Sequence, residues 1–389
     1  MKNLIFFDAE EHRTLLPLTY TKPVAELRVG VIKISEKWGK IFDLPYSFYT
    51  QPYLNELYPM ELSNHNLFIL GGLLPNKHLV NSLEALPPET CLTHKGRILG
   101  AKGAALNVVT HPEQKIEFTG EVKIIKRPWD IFTENGAEIK EDISLLNEEH
   151  ITYKLENTVV IGDASELFIH PSAKVMASSL NTSEGPIYIG PNTEVMEGVL
   201  IRGPFSLGEG STVKMGAKIY GDTTIGPFSK VGGEVGNSVI QGHSNKGHDG
   251  YMGNSVLGEW CNLGADTNTS NLKNNYSSVR VWDYVSESAT DTELTFCGLI
   301  MGDHSKTGIN TMLNTGTLVG IGSNIFGASF PPKFVPSFSW GSGSDFQVHD
   351  YEKFFTTATR VMARRNKELS PEYSKMLLRV FTESMKYRS

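Results

Sequence analysis

Residues 187–232 read IYIGPNTEVMEGVLIRGPFSLGEGSTVKMGAKIYGDTTIGPFSKVG, and this stretch decides the fold. An aliphatic residue returns at every sixth position: Ile189, Val195, Ile201, Leu207, Val213, Ile219, Ile225 and Val231. A helix would need apolar spacings of three and four, and a half-buried strand a spacing of two. A period of six fits a triangular coil whose sides are short strands, with one aliphatic side chain per side pointing inward. We therefore predict a parallel β-solenoid.

A second run with the same period follows further along the chain, at Met301, Thr307, Leu313, Val319 and Ile325. Between the two runs, from about Glu234 to about Val285, the period weakens and the residues become polar. A solenoid core cannot bury so many polar groups without partners, and repeat proteins place insertions and binding loops on one face. We expect the solenoid to be interrupted here and the functional site to lie in the interruption.

The chain has 389 residues, which is too long for one ordinary domain. Strand-like runs at 4–7 and 67–70 with scattered helical segments indicate an α+β domain at 1–128. A helical linker is expected at 129–157, the solenoid at 158–330 and a helical extension at 331–389. Because the open end of a solenoid exposes strand edges, we expect the last helices to cap it.

Composition limits the classes of partner. The net charge of −7 gives no reason to expect binding to nucleic acid. No apolar run is long enough to cross a bilayer and no leader is recognised, so we expect a cytoplasmic protein whose partners are small molecules. Cys91, Cys261 and Cys297 lack a metal-binding spacing, and we interpret them as small buried thiols.

The polar region carries a specific resemblance. Residues 246–253 read KGHDGYMG and residues 257–271 read LGEWCNLGADTNTSN. They resemble the acetyltransferase domain of the bifunctional glucosamine-1-phosphate acetyltransferase and N-acetylglucosamine-1-phosphate uridyltransferase family, with its H-x-x-Y-x-G and I-G-x-x-x-N-I-G-A-G-T motifs. The resemblance implies a left-handed solenoid, a homotrimer with acyl sites between neighbouring chains, and acetyl-coenzyme A as donor.

The residues suit this chemistry. An imidazole titrates near neutral pH and can take the proton of an attacking amine, which makes His248 the candidate base. An oxyanion on the thioester carbonyl needs donors, either backbone N–H groups or an amide such as that of Asn271. The resemblance places sugar contacts at Tyr251 and Asn262, a coenzyme contact at the Ala265 backbone and an orienting role at Asn271.

Departures from the family pattern concern the acceptor's phosphate. Gly236 stands where the family has a phosphate-binding lysine, and Lys218 where it has an arginine. Asp266 replaces the second glycine of G-A-G-T, and Leu272 replaces a tyrosine. The family's way of binding the acceptor's phosphate is therefore not carried over to this sequence, and the identity of the acceptor stays open.

Some of these residues have a purely structural role as the alternative. Tyr251 and Trp260 are candidates for packing between coils, and His243 for a surface position. A metal site built from His243, His248 and Asp249 lacks a recognised ligand spacing, and no metal is predicted.

The N-terminal domain resembles sugar-phosphate nucleotidyltransferases at Pro17-Leu18-Thr19 and Pro23. The glycine-rich loop that cradles a triphosphate is replaced by Asp8-Ala9-Glu10-Glu11-His12, and the signature lysine by Val24. Arg13, Lys22 and Arg28 are the nucleotide-site candidates, and Asp8 is a candidate ligand for Mg²⁺ if the domain is active. We expect a shortened, degenerate domain.

The sequence thus predicts an acyltransferase, with acetyl-coenzyme A as donor and an amino sugar phosphate or nucleotide sugar as acceptor. Two alternatives stay open. The N-terminal domain could transfer a nucleotidyl group from UTP or dTTP to a sugar 1-phosphate, or the chain could be a trimeric scaffold that binds a nucleotide sugar unchanged.

Overall fold

The computed structural model describes residues 3–146, 155, 157–343 and 345–388. They form two compact units, one of Met1–Leu15, Thr21–Leu27 and Ile32–Arg127, the other of Leu16–Tyr20, Arg28–Val31 and Pro128–Ser389. Two short segments that the sequence assigned to the N-terminal domain therefore group with the solenoid.

The first unit is built on a six-stranded mixed sheet. In spatial order its strands are Tyr46–Tyr49, Asn3–Phe7, Asn66–Leu70, Arg97–Gly103, Thr90–His94 and Gln114–Glu117. Its helices are Glu11–Thr14, Ile34–Phe42, Lys77–Ala85 and Asn107–Thr110, with 3-10 turns at Val24–Glu26 and Pro52–Leu54. The two strands predicted from sequence are confirmed as parallel neighbours, with Leu4 opposite Leu67 and Phe7 opposite Leu70.

The second unit contains a three-sided parallel solenoid. The strands of face 1 are Val159–Ile161, Ser179–Asn181, Leu200–Arg202, Lys218–Ile219, Glu234–Gly236 and Tyr251–Gly253, followed by the pair Asn268–Thr269 and Met312–Leu313. Those of face 2 are Leu167–Ile169, Ile187–Ile189, Phe205–Leu207, Thr223–Ile225, Val239–Gly242, Val256–Glu259, Leu299–Met301, Thr317–Val319 and Phe334–Val335. Those of face 3 are Lys174–Val175, Glu194–Val195, Thr212–Val213, Lys230–Val231 and Asn245–Lys246, then Lys306–Thr307, Asn324–Ile325, Ser339–Ser342 and Asp345–Val348.

Both predicted hexapeptide runs point into this prism. Their members are at most 5% exposed and most are completely buried. Successive coils align inward residue on inward residue, as in Val195, Val213 and Val231. The parallel hexapeptide solenoid is thus confirmed, and its left-handed sense is that of the family it resembles.

The expected interruption at Glu234 is wrong. The coils continue with inward positions at Val235, Ile240, Lys246, Met252, Leu257, Leu263 and Thr269. The spacing of six fails because corners are shortened, and buried hydroxyls find backbone acceptors: the Ser244 Oγ donates to the Gly258 oxygen at 2.8 Å. The chain leaves the prism only after Thr269, in a loop with the hairpin Arg280–Asp283 and Ser288–Asp291, and returns at Leu299.

The helix Asp130–Leu146 is packed within the solenoid unit, although the sequence predicted a linker; residues 147–154 and 156 of that predicted segment lie outside the described part. Its polar residues Asn135 and Asp142 are buried. The Asn135 Nδ2 donates to the Asp222 oxygen at 2.8 Å, while the Asn135 Oδ1 accepts from the Gly30 N–H at 2.8 Å. The Thr224 hydroxyl donates to the Gly30 carbonyl at 2.9 Å, so Gly30 is held by both helix and solenoid.

Gly30→Ala is expected to destabilise the second unit by about 2 kcal/mol. Gly30 has a φ of +87°, and a Cβ there would lie 2.4 Å from an Asp142 oxygen and 2.8 Å from the Glu138 carbonyl. Gly216→Ala is the matched control, because Gly216 has a φ of +70° and no atom within 4 Å of a Cβ. Denaturant unfolding of both variants separates the cost of an alanine at positive φ, which both share, from the steric clash, which only Gly30→Ala creates. Equal losses of stability in the two variants would contradict the role of the clash.

The C-terminal helices are Tyr351–Ala363 and Pro371–Glu383, followed by a 3-10 turn at Ser384–Tyr387. They pack along the corner between faces 2 and 3 as well as near the last coils. The Phe354 and Phe381 rings contact Phe338 edge-on, and the His304 Nε2 lies 2.9 Å from the Tyr373 hydroxyl. Among the described residues, none of the helices is long and apolar enough to span a membrane.

Candidate active site

A cavity of about 860 Å³ opens on face 3. It brings together three of the sequence-predicted site residues, His248, Asn262 and Ala265. His248 lies in the corner that joins face 3 to face 1, and its side chain is exposed. The Asp266 N–H donates to the Asp249 carbonyl at 3.1 Å, which stacks the Ala265 corner on the His248 corner. A base candidate and the predicted coenzyme contact therefore share one opening.

The floor of this cavity includes Gly247 and Gly264. A Cβ at Gly247 would meet only the Lys230 Cβ at 3.8 Å, an ordinary contact distance. The fold therefore does not require glycine at 247. A larger side chain there would occupy the cavity beside His248 without displacing backbone.

Lys246 is a buried cation beneath His248, and the sequence analysis did not single it out. It occupies the inward row in register with Val231 and is 2% exposed. Its Nζ donates to the His248 carbonyl oxygen at 2.6 Å. Burial lowers the pKa of Lys246 to about 8, while the charges of Asp249 and Asp266 oppose this shift. The sequence contains a signal for this residue, a lysine where the coil register requires an aliphatic side chain.

A second cluster lies on face 1, outside the lining of the cavity. The Asn271 Nδ2 donates to the Tyr251 hydroxyl at 3.0 Å and to the Asn254 Oδ1 at 2.8 Å. Both amide N–H groups of Asn271 are thereby used. Burial raises the pKa of Tyr251, and the Asn271 bond opposes that rise. Lys218 is exposed on the same face, two coils before Tyr251 in the register. Tyr251, Asn271 and Lys218 are thus not brought to His248 within one chain.

Rings stack along the corner between faces 2 and 3. Phe228, His243, Trp260 and His304 occupy equivalent corners of successive coils, with φ values of 52° to 63°. The ring centroids of His243 and Trp260 are 4.2 Å apart, with an angle of 8° between the ring planes. Those of Phe228 and His243 are 5.2 Å apart, with an interplanar angle of 16°. A positive φ disfavours such side chains, and stacking offsets part of that cost. The packing role expected of Trp260 is consistent with this, whereas His243, expected at the surface, is stacked and only partly exposed.

Metal and thiol chemistry receive no support from the described residues. They contain no group of three or more His, Cys, Asp or Glu side chains that could hold a metal ion, the trio His243, His248 and Asp249 included. All three cysteines are buried free thiols, and burial raises the pKa values of Cys261 and Cys297 to about 12.

The first unit has its own cavity, of about 560 Å³, at the carboxyl ends of its parallel strands. Asp8, Glu10 and Arg97 line it. Arg97 is paired with Glu10 and Glu11, so its charge is neutralised. Burial raises the pKa of Asp8 to about 7, and its carboxylate accepts bonds from the Val24 N–H and the Thr50 hydroxyl. A carboxyl whose pKa burial raises to about 7, and whose oxygens already accept two hydrogen bonds, is a poor ligand for Mg²⁺, which prefers ionised carboxylate oxygens.

The nucleotide-site candidates do not line that cavity. Arg13 is exposed and Lys22 is buried, both in the first unit. Arg28 belongs to the second unit, where its Nε donates to the Gln241 carbonyl at 3.3 Å and its Nη1 to the Val31 carbonyl. This gives Arg28 a structural role.

Similarity to known proteins covers both parts of the chain. Residues 4–151 match the family model described as sugar nucleotidyl transferase. The bifunctional protein GlmU of Synechococcus elongatus is 28% identical over 282 residues, which are 69% of this chain and 55% of that protein. GlmU of Methanocaldococcus jannaschii is 33% identical over 209 residues, 53% of this chain and 43% of that protein. The chain thus spans about half the length of these curated relatives.

Solved structures show more distant likeness. The polysialic-acid-specific acetyltransferase NeuO is 16% identical, with a TM-score of 0.27 over 49% of this chain and 81% of that one.

Proposed function

From its relation to the bifunctional GlmU proteins, we propose that this chain transfers an acetyl group from acetyl-coenzyme A to an amino group of a sugar phosphate or nucleotide sugar. The observation that carries the proposal is the face 3 cavity, which gathers His248, Asn262 and Ala265 in one opening. The first unit keeps a nucleotidyltransferase-like sheet without a glycine loop for phosphates.

In the proposed reaction the acceptor amine attacks the thioester carbonyl carbon, and His248 takes the proton that the amine loses. The C–N bond forms, the C–S bond breaks, and the thiolate leaves with the electron pair and regains a proton from the imidazolium. Asn262 contacts the acceptor and the Ala265 backbone contacts the donor. Since the Asn271 amide is already engaged, its proposed role is to orient Tyr251, and a backbone N–H serves the oxyanion.

The proposal includes a homotrimer. The early coils of face 1 expose apolar side chains: Val159 at 59%, Ile161 at 45%, Leu200 at 53% and Tyr220 at 48%. Such a stripe is typical of a surface that another copy covers. Packing of face 1 against a neighbouring chain would bring Tyr251 and Asn271 of one chain towards the cavity of another. Light scattering of the purified chain is expected to give three times the monomer mass; a monomer at working concentrations contradicts this part.

The test of function is transfer of labelled acetyl from acetyl-coenzyme A to a panel of amino sugar phosphates and amino nucleotide sugars. Gly247→Val is expected to lower transfer by about 10-fold or more, because the valine side chain would occupy part of the cavity beside His248 and displace the reacting groups. Its thermal midpoint should stay near that of the wild type. Absence of transfer to every acceptor by the folded wild-type chain would refute the proposal.

A second function is tied to the family match of residues 4–151. If the first unit is catalytic, it releases pyrophosphate from UTP or dTTP in the presence of a sugar 1-phosphate. The cavity is lined by two acidic and two basic side chains, Asp8, Glu10, Lys95 and Arg97, so its charge does not decide the question. The absence of the glycine-rich loop from the sequence favours the degenerate interpretation. Failure of both reactions together with binding of nucleotide sugars would leave the scaffold alternative.

A further inference from the structure

Positive charge gathers around the face 3 cavity. Five cationic side chains line it, and no Asp or Glu is among its described lining residues; the five are Lys214, Lys230, Lys306, Arg364 and Arg365. A pocket of this size with one sign of charge concentrates anions.

The cations come from two different parts of the second unit. Lys214 and Lys230 lie beside the inward residues Val213 and Val231 of adjacent coils, and therefore point outward from face 3. Arg364 and Arg365 follow the helix Tyr351–Ala363. The Arg365 Nη2 donates to the Asn245 Oδ1 at 3.0 Å and its Nη1 to the Phe228 carbonyl. These bonds fasten the helix end to the solenoid and hold Arg364 at the cavity.

Three of these cations lack a directly bonded partner among the described residues. Within the described part of the chain, Lys214, Lys230 and Arg364 make no side-chain hydrogen bond or ion pair. Burial lowers the pKa of Lys230, and the charges of Lys214, Arg365 and Arg364 lower it further, against a smaller opposing effect of Glu194. Like charges held close together without partners are unfavourable, and a bound polyanion would relieve the repulsion.

We infer that this cavity binds the diphosphate group of a nucleotide-type ligand, with Lys214, Lys230 and Arg364 as its phosphate contacts. Gly247 directly precedes His248, and a Cβ at Gly247 would lie 3.8 Å from the Lys230 Cβ, so a ligand anchored at Lys230 by its phosphates would lie near the base. Coenzyme A and nucleotide sugars both carry a diphosphate. The inference rests on the proposed function only for the direction in which the bound ligand points.

The test is calorimetric titration of the full chain with inorganic pyrophosphate, coenzyme A and UDP-N-acetylglucosamine, at low and at physiological salt. Lys230→Gln and Arg364→Gln are each expected to weaken binding about tenfold, and the double variant more. Lys353→Gln removes a charge from the same helix outside the cavity lining and should bind like the wild type. Thermal midpoints establish that each variant is folded.

Comparison of the titrations with the three ligands identifies which ligand supplies the diphosphate. Weakened binding of coenzyme A alone assigns the cations to the donor, weakened binding of the nucleotide sugar alone assigns them to the acceptor, and both outcomes support the site. Equal binding of every ligand by wild type and double variant, or no binding of any of the three by the wild type, overturns it. Since pyrophosphate binding needs no acyl transfer, failure of the proposed function would be seen separately, in the transfer assay.

Discussion

His248→Ala lowers kcat for acetyl transfer by about 10² to 10⁴-fold, if the imidazole takes the proton of the acceptor amine. The expected magnitude is that of removing a positioned general base. His248 is exposed in the corner of the face 3 cavity, so its loss leaves no buried void. Stability should change by less than about 0.5 kcal/mol, because surface substitutions away from special features are usually of that size.

The matched control is His170→Ala. His170 is also partly exposed near a solenoid corner, where its Nδ1 lies 2.8 Å from the Ser172 hydroxyl, and it does not line the cavity. Transfer by this variant should equal that of the wild type. Retention of the wild-type rate by His248→Ala would remove His248 from the mechanism.

The solenoid could be predicted because its core has a simple period. The inward residues from Ile189 to Val231 keep a spacing of six, and burial confirms each of them. The period failed after Val231 because the next inward residues are Val235 and Ile240, four and five positions on. A shortened corner shifts the register without breaking the stack of coils. The period of six therefore predicts the regular coils correctly, but coils with shortened corners resemble an insertion in the sequence.

The site was partly predictable. The motif around His248 selected residues that the structure brings together, since His248, Asn262 and Ala265 line one cavity. The cations Lys230 and Arg364 could not be associated from the sequence, since they are 134 positions apart. They share a cavity only because the helix Tyr351–Ala363 ends beside the solenoid. Arg28 lies near the nucleotidyltransferase-like motif in the sequence, which made it a candidate for nucleotide binding. In the structure its guanidinium donates to backbone carbonyls instead, and such contacts cannot be predicted from the sequence.

Lys246 shows how the site is maintained at the expense of stability. A lysine in the inward row is costly, because its charged form loses hydration when buried. Its Nζ holds the His248 carbonyl at 2.6 Å, and the carboxylates of Asp249 and Asp266 favour the charged form only in part. An aliphatic residue, as at Val231 one coil earlier, would stabilise the prism better. We infer that the lysine fixes the corner that presents His248.

Lys246→Met is therefore expected to stabilise the second unit at pH 7 by up to about 3 kcal/mol while lowering acetyl transfer. The pKa of Lys246 is about 8 in the folded chain against 10.5 ordinarily, so between these values the unfolded chain binds more protons. The free energy of unfolding of the wild type should accordingly rise with pH across this window. The difference in this free energy between Lys246→Met and the wild type should therefore narrow. Urea unfolding at pH 7 and pH 10 measures both effects.

Leu263→Met is the control for this experiment, because Leu263 occupies the same inward row one coil later and is 2% exposed. A methionine there changes shape but removes no charge, so stability should change by less than about 1.5 kcal/mol and without dependence on pH between 8 and 10.5. The split between stability and activity is decisive for Lys246. A variant that is more stable and equally active would show that the lysine does not position His248, and a variant that is less stable at pH 7 would show that its charge is satisfied in the fold.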